Sequence, residues 1–224
     1  MKKEVIIKKL AKEVKNKLNN ECSGHDWWHV YRVWNLAKQI GRKEKADMYI
    51  VELTALLHDI ADWKFYDGDE TIGPKLARKI LTSHNVPRNI IDHVCEIIAT
   101  MSFKGADVKT KMKTLEGCVV QDADRLDAIG AIGIARAFAY GGHKGRTIYD
   151  PQRKPTLHKT KDAYFKNEGP TLNHFYEKLL LLKDRMNTKT AKELAIKRHK
   201  FMEKYLENFL EEWQEKLINN LSIS

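Results

Sequence analysis

Apolar residues recur along almost the whole chain at steps of three and four, the period of a helix that buries one stripe. No other feature constrains the fold as much. Val5, Ile6, Leu10, Val14 and Leu18 predict a first helix from Lys3 to about Leu18, and Val33, Leu36, Ala37 and Ile40 a second from about Asp26 to Ile40, with Ser23 as its cap. A third helix begins near Lys45 and runs through the apolar block Leu53–Leu57. A short one covers Thr71 to Leu81, and another runs from Asn89 to about Met101 on Ile90, Ile91, Val94, Ile97 and Ile98. The longest apolar helix spans about Thr114 to Tyr140, and two long helices fill Thr171 to Leu217. With 12 Gly and 5 Pro among 224 residues, little punctuates these stripes, so the expectation is an all-α single domain over 1–224. Its core would lie at about 20–140, followed by a basic irregular loop over 141–160 and C-terminal helices over 171–217.

No apolar run approaches the roughly 18 residues a membrane span needs. The N-terminus has basic residues but only a three-residue apolar block, so it reads as an amphipathic helix and the protein as cytoplasmic. Cys22, Cys95 and Cys118 are widely spaced with no CxxC, which speaks against a disulfide framework and a thiolate zinc site. A net charge of +10 favours polyanionic partners, either phosphorylated small molecules or nucleic acid. The lysines are spread along the chain and the aromatics fall on core stripes, which speaks against nucleic acid. Trp27, Trp28 and Trp34 read as packing rather than as a stacking platform. The last helix is long enough to pair between subunits, which leaves a homodimer open.

The third helix finishes oddly, with His58, Asp59 and Asp62 closing a run of leucines. A carboxylate buried there needs an ion pair or a cation unless the helix end surfaces in a polar cleft. On a continuing helix His58 and Asp59 lie about 100° apart, with Asp62 stacked one turn beyond both. The dipeptide alone says little, because His25-Asp26 repeats it. His29 shares the inward stripe of the second helix, His25 competes with it, and either can also be a core histidine bonded to a backbone carbonyl. His93 reads as structural.

In Gln121-Asp122-Ala123-Asp124-Arg125-Leu126-Asp127, setting Asp124 at 0° places Val120, Asp127, Ala131, Ile134, Ala135 and Phe138 within roughly 80° of it. Asp124 therefore faces inward, and Asp122 falls on the opposite side near Arg125, Arg136 and Gly133, where an ion pair or solvent can satisfy it. Two histidines and two aspartates give nitrogen and oxygen ligands without sulfur, a set that suits Mn²⁺, Mg²⁺, Co²⁺, Ni²⁺ or Fe²⁺. Two open positions on such an ion could take a water and a phosphoryl oxygen, with Asp62 placed to receive the water's proton. The loop from Gly141 to Pro155 reads equally as a lid over phosphate and as a solvated loop.

His29 in His-Val-Tyr-Arg-Val, His58-Asp59, and Asp124 in Asp-Ala-Asp-Arg-Leu-Asp, in that order, resemble the HD-domain metal-dependent phosphohydrolase superfamily. The longer segments His-Asp-Trp-Trp-His, Leu-Leu-His-Asp-Ile-Ala-Asp-Trp-Lys and Asn-His-Phe-Tyr-Glu-Lys-Leu are similar to its bacterial YpgQ/YedJ-like branch over nearly the whole chain. The resemblance implies a single HD-domain helical bundle with one divalent metal, Mn²⁺ first, on His29, His58, Asp59 and Asp124. It also implies pyrophosphohydrolysis of nucleoside triphosphates, deoxy forms included, with an acidic residue at Asp62 acting on the attacking water. Other members have Glu there, a longer reach than this Asp. An HD-type nucleotidase or phosphodiesterase, a nucleotide-sensing HD protein without turnover, and, more remotely, a helical nucleic-acid-binding module are the alternatives. Candidates for holding the substrate phosphates are His25, Arg32, Lys64, Lys104, Arg136, His143, Arg146 and Lys178.

Overall fold

The structure is a computed structural model that describes residues 2–18, 26–61, 69, 71–101, 111–157 and 168–214. The fold is all-α, and no strand occurs among the described residues. In chain order the helices are α1 (Lys3–Lys17), α2 (Trp27–Glu44), α3 (Met48–Leu57), α4 (Ile72–Ser83), α5 (Arg88–Thr100), α6 (Leu115–Asp127), α7 (Gly130–His143), α8 (Asn173–Glu177) and α9 (Lys189–Gln214). A 3-10 segment, Leu179–Arg185, joins α8 to α9. None of these helices is long and apolar enough to cross a membrane.

Two apolar clusters meet at α2 and α3. Leu10, Leu53, Leu81 and Val94 belong to one, built with α1, α4 and α5, and Ala55, Leu126, Phe175 and Met202 to the other, built with α6, α8 and α9. Because α3 lies between them it is buried nearly all round, which explains why its sequence is apolar on every side. Leu53, Leu56 and Leu57 are fully buried, each worth about 1.5–3 kcal/mol of transfer free energy. This clamps the end of α3 in place. The helix stops at Leu57, earlier than its apolar run suggests, and Ile60 N–H bonds to the Leu57 carbonyl, so His58 and Asp59 stand in the turn that follows. Conversely α2 runs through the buried Gly41 to Glu44, and its N-cap is Asp26, whose side chain accepts from His29 N–H. Ser23, expected as that cap, lies outside the described residues.

The predicted helix over Thr114–Tyr140 is two helices. Ile129 is extended, Gly130 has φ +79°, and a Cβ on Gly133 would collide with the Ala128 carbonyl, so the chain re-enters helix there only because both positions are glycine. The phase set from Asp124 does not carry across this break: Ala131 and Ala135, expected inward, are exposed. The first of the two long helices expected over 171–217 is also absent, replaced by the short α8 and the 3-10 segment. The break before α9 is held from α6. Asp122 is fully buried and accepts from the backbone N–H groups of Asn187 and Thr188, from the Asn187 amide and from the Thr188 hydroxyl. That holds the 186–188 linker against α6, and Thr188 Oγ1 then caps α9 by accepting from Ala191 N–H. Asp122 is thus satisfied by a helix start, with the Arg125 charge nearby, and the Arg125 guanidinium also bonds to the Arg185 carbonyl.

Cys95 is buried and Cys118 partly so, and both are free thiols; Cys22 lies outside the described residues. His93 bonds to Thr114 Oγ1 at 3.0 Å, a structural contact. Of the three tryptophans assigned to packing, Trp27 is buried but Trp28 is 58% exposed.

Gly130→Ala places a side chain in the left-handed region and should cost about 1–2 kcal/mol in urea unfolding, with Gly133→Ala more damaging because it strikes backbone. Glu44 accepts from Thr190 at the start of α9, and these bonds hold its carboxyl below the usual carboxylate range. Its contribution is therefore full above an unfolded pKa of about 4.3 and is lost as pH falls through the lower folded value. Urea midpoints of wild type and Glu44→Gln should differ at pH 7 and converge in acid.

Candidate metal centre

The end of α3, the first turn of α2 and the last turn of α6 converge. His29 Nε2 lies 3.2 Å from His58 Nε2, 3.1 Å from Asp59 Oδ2 and 3.6 Å from Asp124 Oδ1. His58 Nε2 is 3.6 Å from Asp59 Oδ2 and 4.0 Å from Asp124 Oδ1. Neighbouring ligands about 2.1 Å from one ion stand roughly 3 Å apart, close to the spacings among His29, His58 and Asp59, with Asp124 beside them. Among the described residues His29, His58 and Asp59 form a group able to hold a metal ion.

The outer nitrogens decide what the inner ones can do. His58 Nδ1 lies 2.8 Å from the Ala55 carbonyl, which can only accept, so that nitrogen carries the proton. His29 Nδ1 lies 2.8 Å from Asp127 Oδ2. Although burial alone would raise the Asp127 pKa, hydrogen bonds from His29 and Arg32 and the Arg136 charge hold it well below the carboxylate range, so it accepts and His29 donates. In the neutral rings both Nε2 atoms therefore present lone pairs, 3.2 Å apart and beside two carboxylates. Acceptors crowded in this way repel one another unless a proton or a metal ion sits among them. Burial and the Arg136 charge oppose a proton on His29, yet Asp127 and Asp59 outweigh them and raise its pKa, a sign of how strongly the cluster attracts positive charge. The donor set, nitrogen and oxygen without sulfur, fits a divalent cation.

Asp127 was visible in the sequence only as a residue on the Asp124 face. It is almost fully buried and takes Arg32 Nε at 2.7 Å, Arg32 Nη2 at 3.0 Å and Arg136 Nη1 at 3.0 Å, besides His29. Arg32 and Arg136, expected on substrate phosphate, are thus brought to the site and aimed at this carboxylate. Arg198 was not anticipated: it reaches from α9 to the Leu126 carbonyl, next to Asp127, across 72 positions that leave no local signal. Asp26, the Asp of the second His-Asp pair, is a helix cap, while Asp124 is 37% exposed on the open side of the cluster.

Three of the other candidates lie among the described residues. His143 ends α7, seven residues or about 10 Å of helix beyond Arg136. Arg146 sits 5.8 Å over the Tyr140 ring, and Lys178 is at the kink between α8 and the 3-10 segment. The basic loop is tied down: Thr147 and Ile148 carbonyls accept from Thr171 and Leu172, Asn173 donates to the Arg153 carbonyl, and Tyr149 packs edge-on against Phe209 and Trp213. These bonds hold it as a fixed strap. Asp62, His25, Lys64 and Lys104 lie outside the described residues.

Replacing Asp127 by Asn removes the charge that fixes the His29 tautomer and that Arg32 and Arg136 share. Divalent-metal affinity, read by calorimetry, should fall about 10- to 100-fold.

Known proteins resemble this chain in sequence and in fold. The HD-domain family model matches residues 27–129, the span that holds all four converging side chains. YpgQ of Bacillus subtilis, described as uncharacterized, is 46% identical over 190 residues, 84% of each chain, and has been solved in complex with ADP, with a TM-score of 0.74 over 95% of this chain and 96% of that one. A solved protein of Lactobacillus plantarum matches with a TM-score of 0.83 at 38% identity, over 95% of this chain and 99% of its own. A Bacillus thuringiensis structure described as an HD-superfamily hydrolase matches with a TM-score of 0.74 at 44% identity, over 96% of this chain and all of its own. By its sequence and its fold the chain belongs to the HD-domain family and has the architecture of HD-superfamily hydrolases.

Proposed function

We propose that the chain is a divalent-metal-dependent phosphohydrolase acting on nucleotides, cleaving nucleoside triphosphates, deoxy forms included, with release of pyrophosphate. The observation that carries this reading is the pair of inward Nε2 lone pairs beside two carboxylates, Asp124 being open to solvent. YpgQ binds ADP, and that supports a nucleotide as the ligand class.

In this reading His29, His58, Asp59 and Asp124 hold one Mn²⁺, with Mg²⁺, Co²⁺, Ni²⁺ and Fe²⁺ compatible with the same donors. Such an ion lowers the pKa of water and polarises a phosphoryl oxygen. Asp127 keeps His29 in the tautomer that leaves Nε2 bare, and the Ala55 carbonyl does the same for His58. Asp62, three residues after Asp59, takes the proton of the attacking water. Arg32 and Arg136, pinned by one carboxylate, supply fixed positive charge for the departing pyrophosphate.

A panel of ribo- and deoxyribonucleotides incubated with Mn²⁺, Mg²⁺, Co²⁺ or chelator, with phosphate and pyrophosphate measured separately, tests the reading. Pyrophosphate should appear from triphosphates with Mn²⁺ and vanish with chelator. His58→Ala and Asp124→Ala should abolish turnover, whereas Asp62→Asn should lower kcat about 10²- to 10⁴-fold with metal affinity retained. Activity indifferent to chelator, or unchanged in His58→Ala, would contradict it.

A further inference from the structure

Trp28 stands directly before His29 on the first turn of α2, and 58% of it is exposed. Its neighbours are accounted for by packing: Trp27 is buried, and the Trp34 indole donates to Glu52. Trp28 instead rests edge-on against Tyr31, ring centroids 5.9 Å apart at 85°, and Tyr31 is itself 41% exposed. With Tyr31 it forms an exposed aromatic pair on the turn of α2 that carries the ligand His29.

Helix geometry places it. Stepping about 100° per residue puts Trp28 and Arg32 within roughly 40° of each other on one flank of α2, a single turn apart, with His29 on the adjoining inward face. Arg32 cannot wander along that flank, because Nε and Nη2 are both held by the buried Asp127. The exposed Trp28 ring thus stands next to the ligand His29, with the guanidinium of Arg32 held one turn further along α2. A nucleotide presents a matching base and phosphates.

We propose that Trp28 is the base-binding residue of this site: the nucleobase stacks on its indole while the phosphates extend toward His29, His58, Asp59 and Asp124. This rests on the nucleotide reading above and deepens it, because it makes the nucleoside part of the substrate, not only its phosphates, a source of affinity. Every base has a π-face, so such a contact accepts purines and pyrimidines alike and favours nucleoside phosphates over base-free polyphosphates.

The test is calorimetric titration of ADP, and separately of inorganic pyrophosphate, into the Mn²⁺-loaded full chain as wild type, Trp28→Ala and Trp28→Phe. Stacking by one base corresponds to about a 5- to 100-fold change in affinity. Trp28→Ala should weaken ADP by about that factor and leave pyrophosphate within about twofold, Trp28→Phe should retain most of the ADP affinity, and thermal midpoints should stay unchanged. ADP affinity untouched in Trp28→Ala, equal weakening of ADP and pyrophosphate, or no ADP binding by wild type would overturn the proposal. So would a sedimentation change in Trp28→Ala with ADP affinity intact, which would make the indole a contact between copies of the chain. Pyrophosphate release with no role for Trp28 in ADP binding removes the stacking and keeps the phosphohydrolase. Loss of ADP affinity in Trp28→Ala, in a protein that turns nothing over, does the reverse.

Discussion

Two imidazole Nε2 atoms, both acceptors when their rings are neutral, face each other at 3.2 Å in a buried pocket lined by carboxylates. This arrangement is unfavourable by itself, and much of the surrounding structure is explained by the need to maintain it. The Ala55 carbonyl and Asp127 fix the two tautomers, Arg32 and Arg136 keep Asp127 charged, and the two apolar clusters on either side of α3 hold the turn that carries His58 and Asp59. A half-satisfied polar network inside a protein costs more than an apolar core, so its persistence points to a positive charge that completes it.

Helix α6 shows how environment gives one residue type three roles. Asp122 is buried against backbone donors and organises the start of α9. Asp124, two positions on, is open to solvent beside the histidines. Asp127, one turn later, is buried again and anchors His29 with two arginines. The three share one short stretch, so a small shift of α6 would disturb packing, ligand geometry and the positive rim together. Arg125 and Arg198 tie α6 through carbonyls to the 3-10 segment and α9, which gives the C-terminal helices a part in holding that position.

The apolar stripes made the all-α fold legible, because a period of 3.6 residues survives in any helix that buries one face. The same arithmetic put Asp124 and Asp127 on one face and Asp122 on another, and in the structure Asp124 lies beside His29 and His58 while Asp127 and Asp122 bond to different partners. It failed at Ile129–Gly130, where a left-handed glycine resets the phase, and over 171–188, where the chain breaks at Lys178 and Asp122 holds Asn187 and Thr188 from 65 and 66 positions away. The end of α3 was blurred for a related reason: local pattern records the burial of Leu53–Leu57 but not the Ile60 turn that aims His58. Arg198 and the pinning of Arg32 and Arg136 were invisible because a cation's partner is chosen by tertiary proximity. Trp28 was assigned to packing because a tryptophan usually packs, and only its exposure distinguishes it from Trp27.

The central claim is that these side chains are held in wait for one metal ion. Titration of Mn²⁺ into the chelator-stripped protein, with the free ion followed by electron paramagnetic resonance, measures this directly. One tight site per chain, lost in His58→Ala with the helical circular dichroism unchanged, is the predicted result. Absence of a tight site, or a site that survives without His58, would contradict the account.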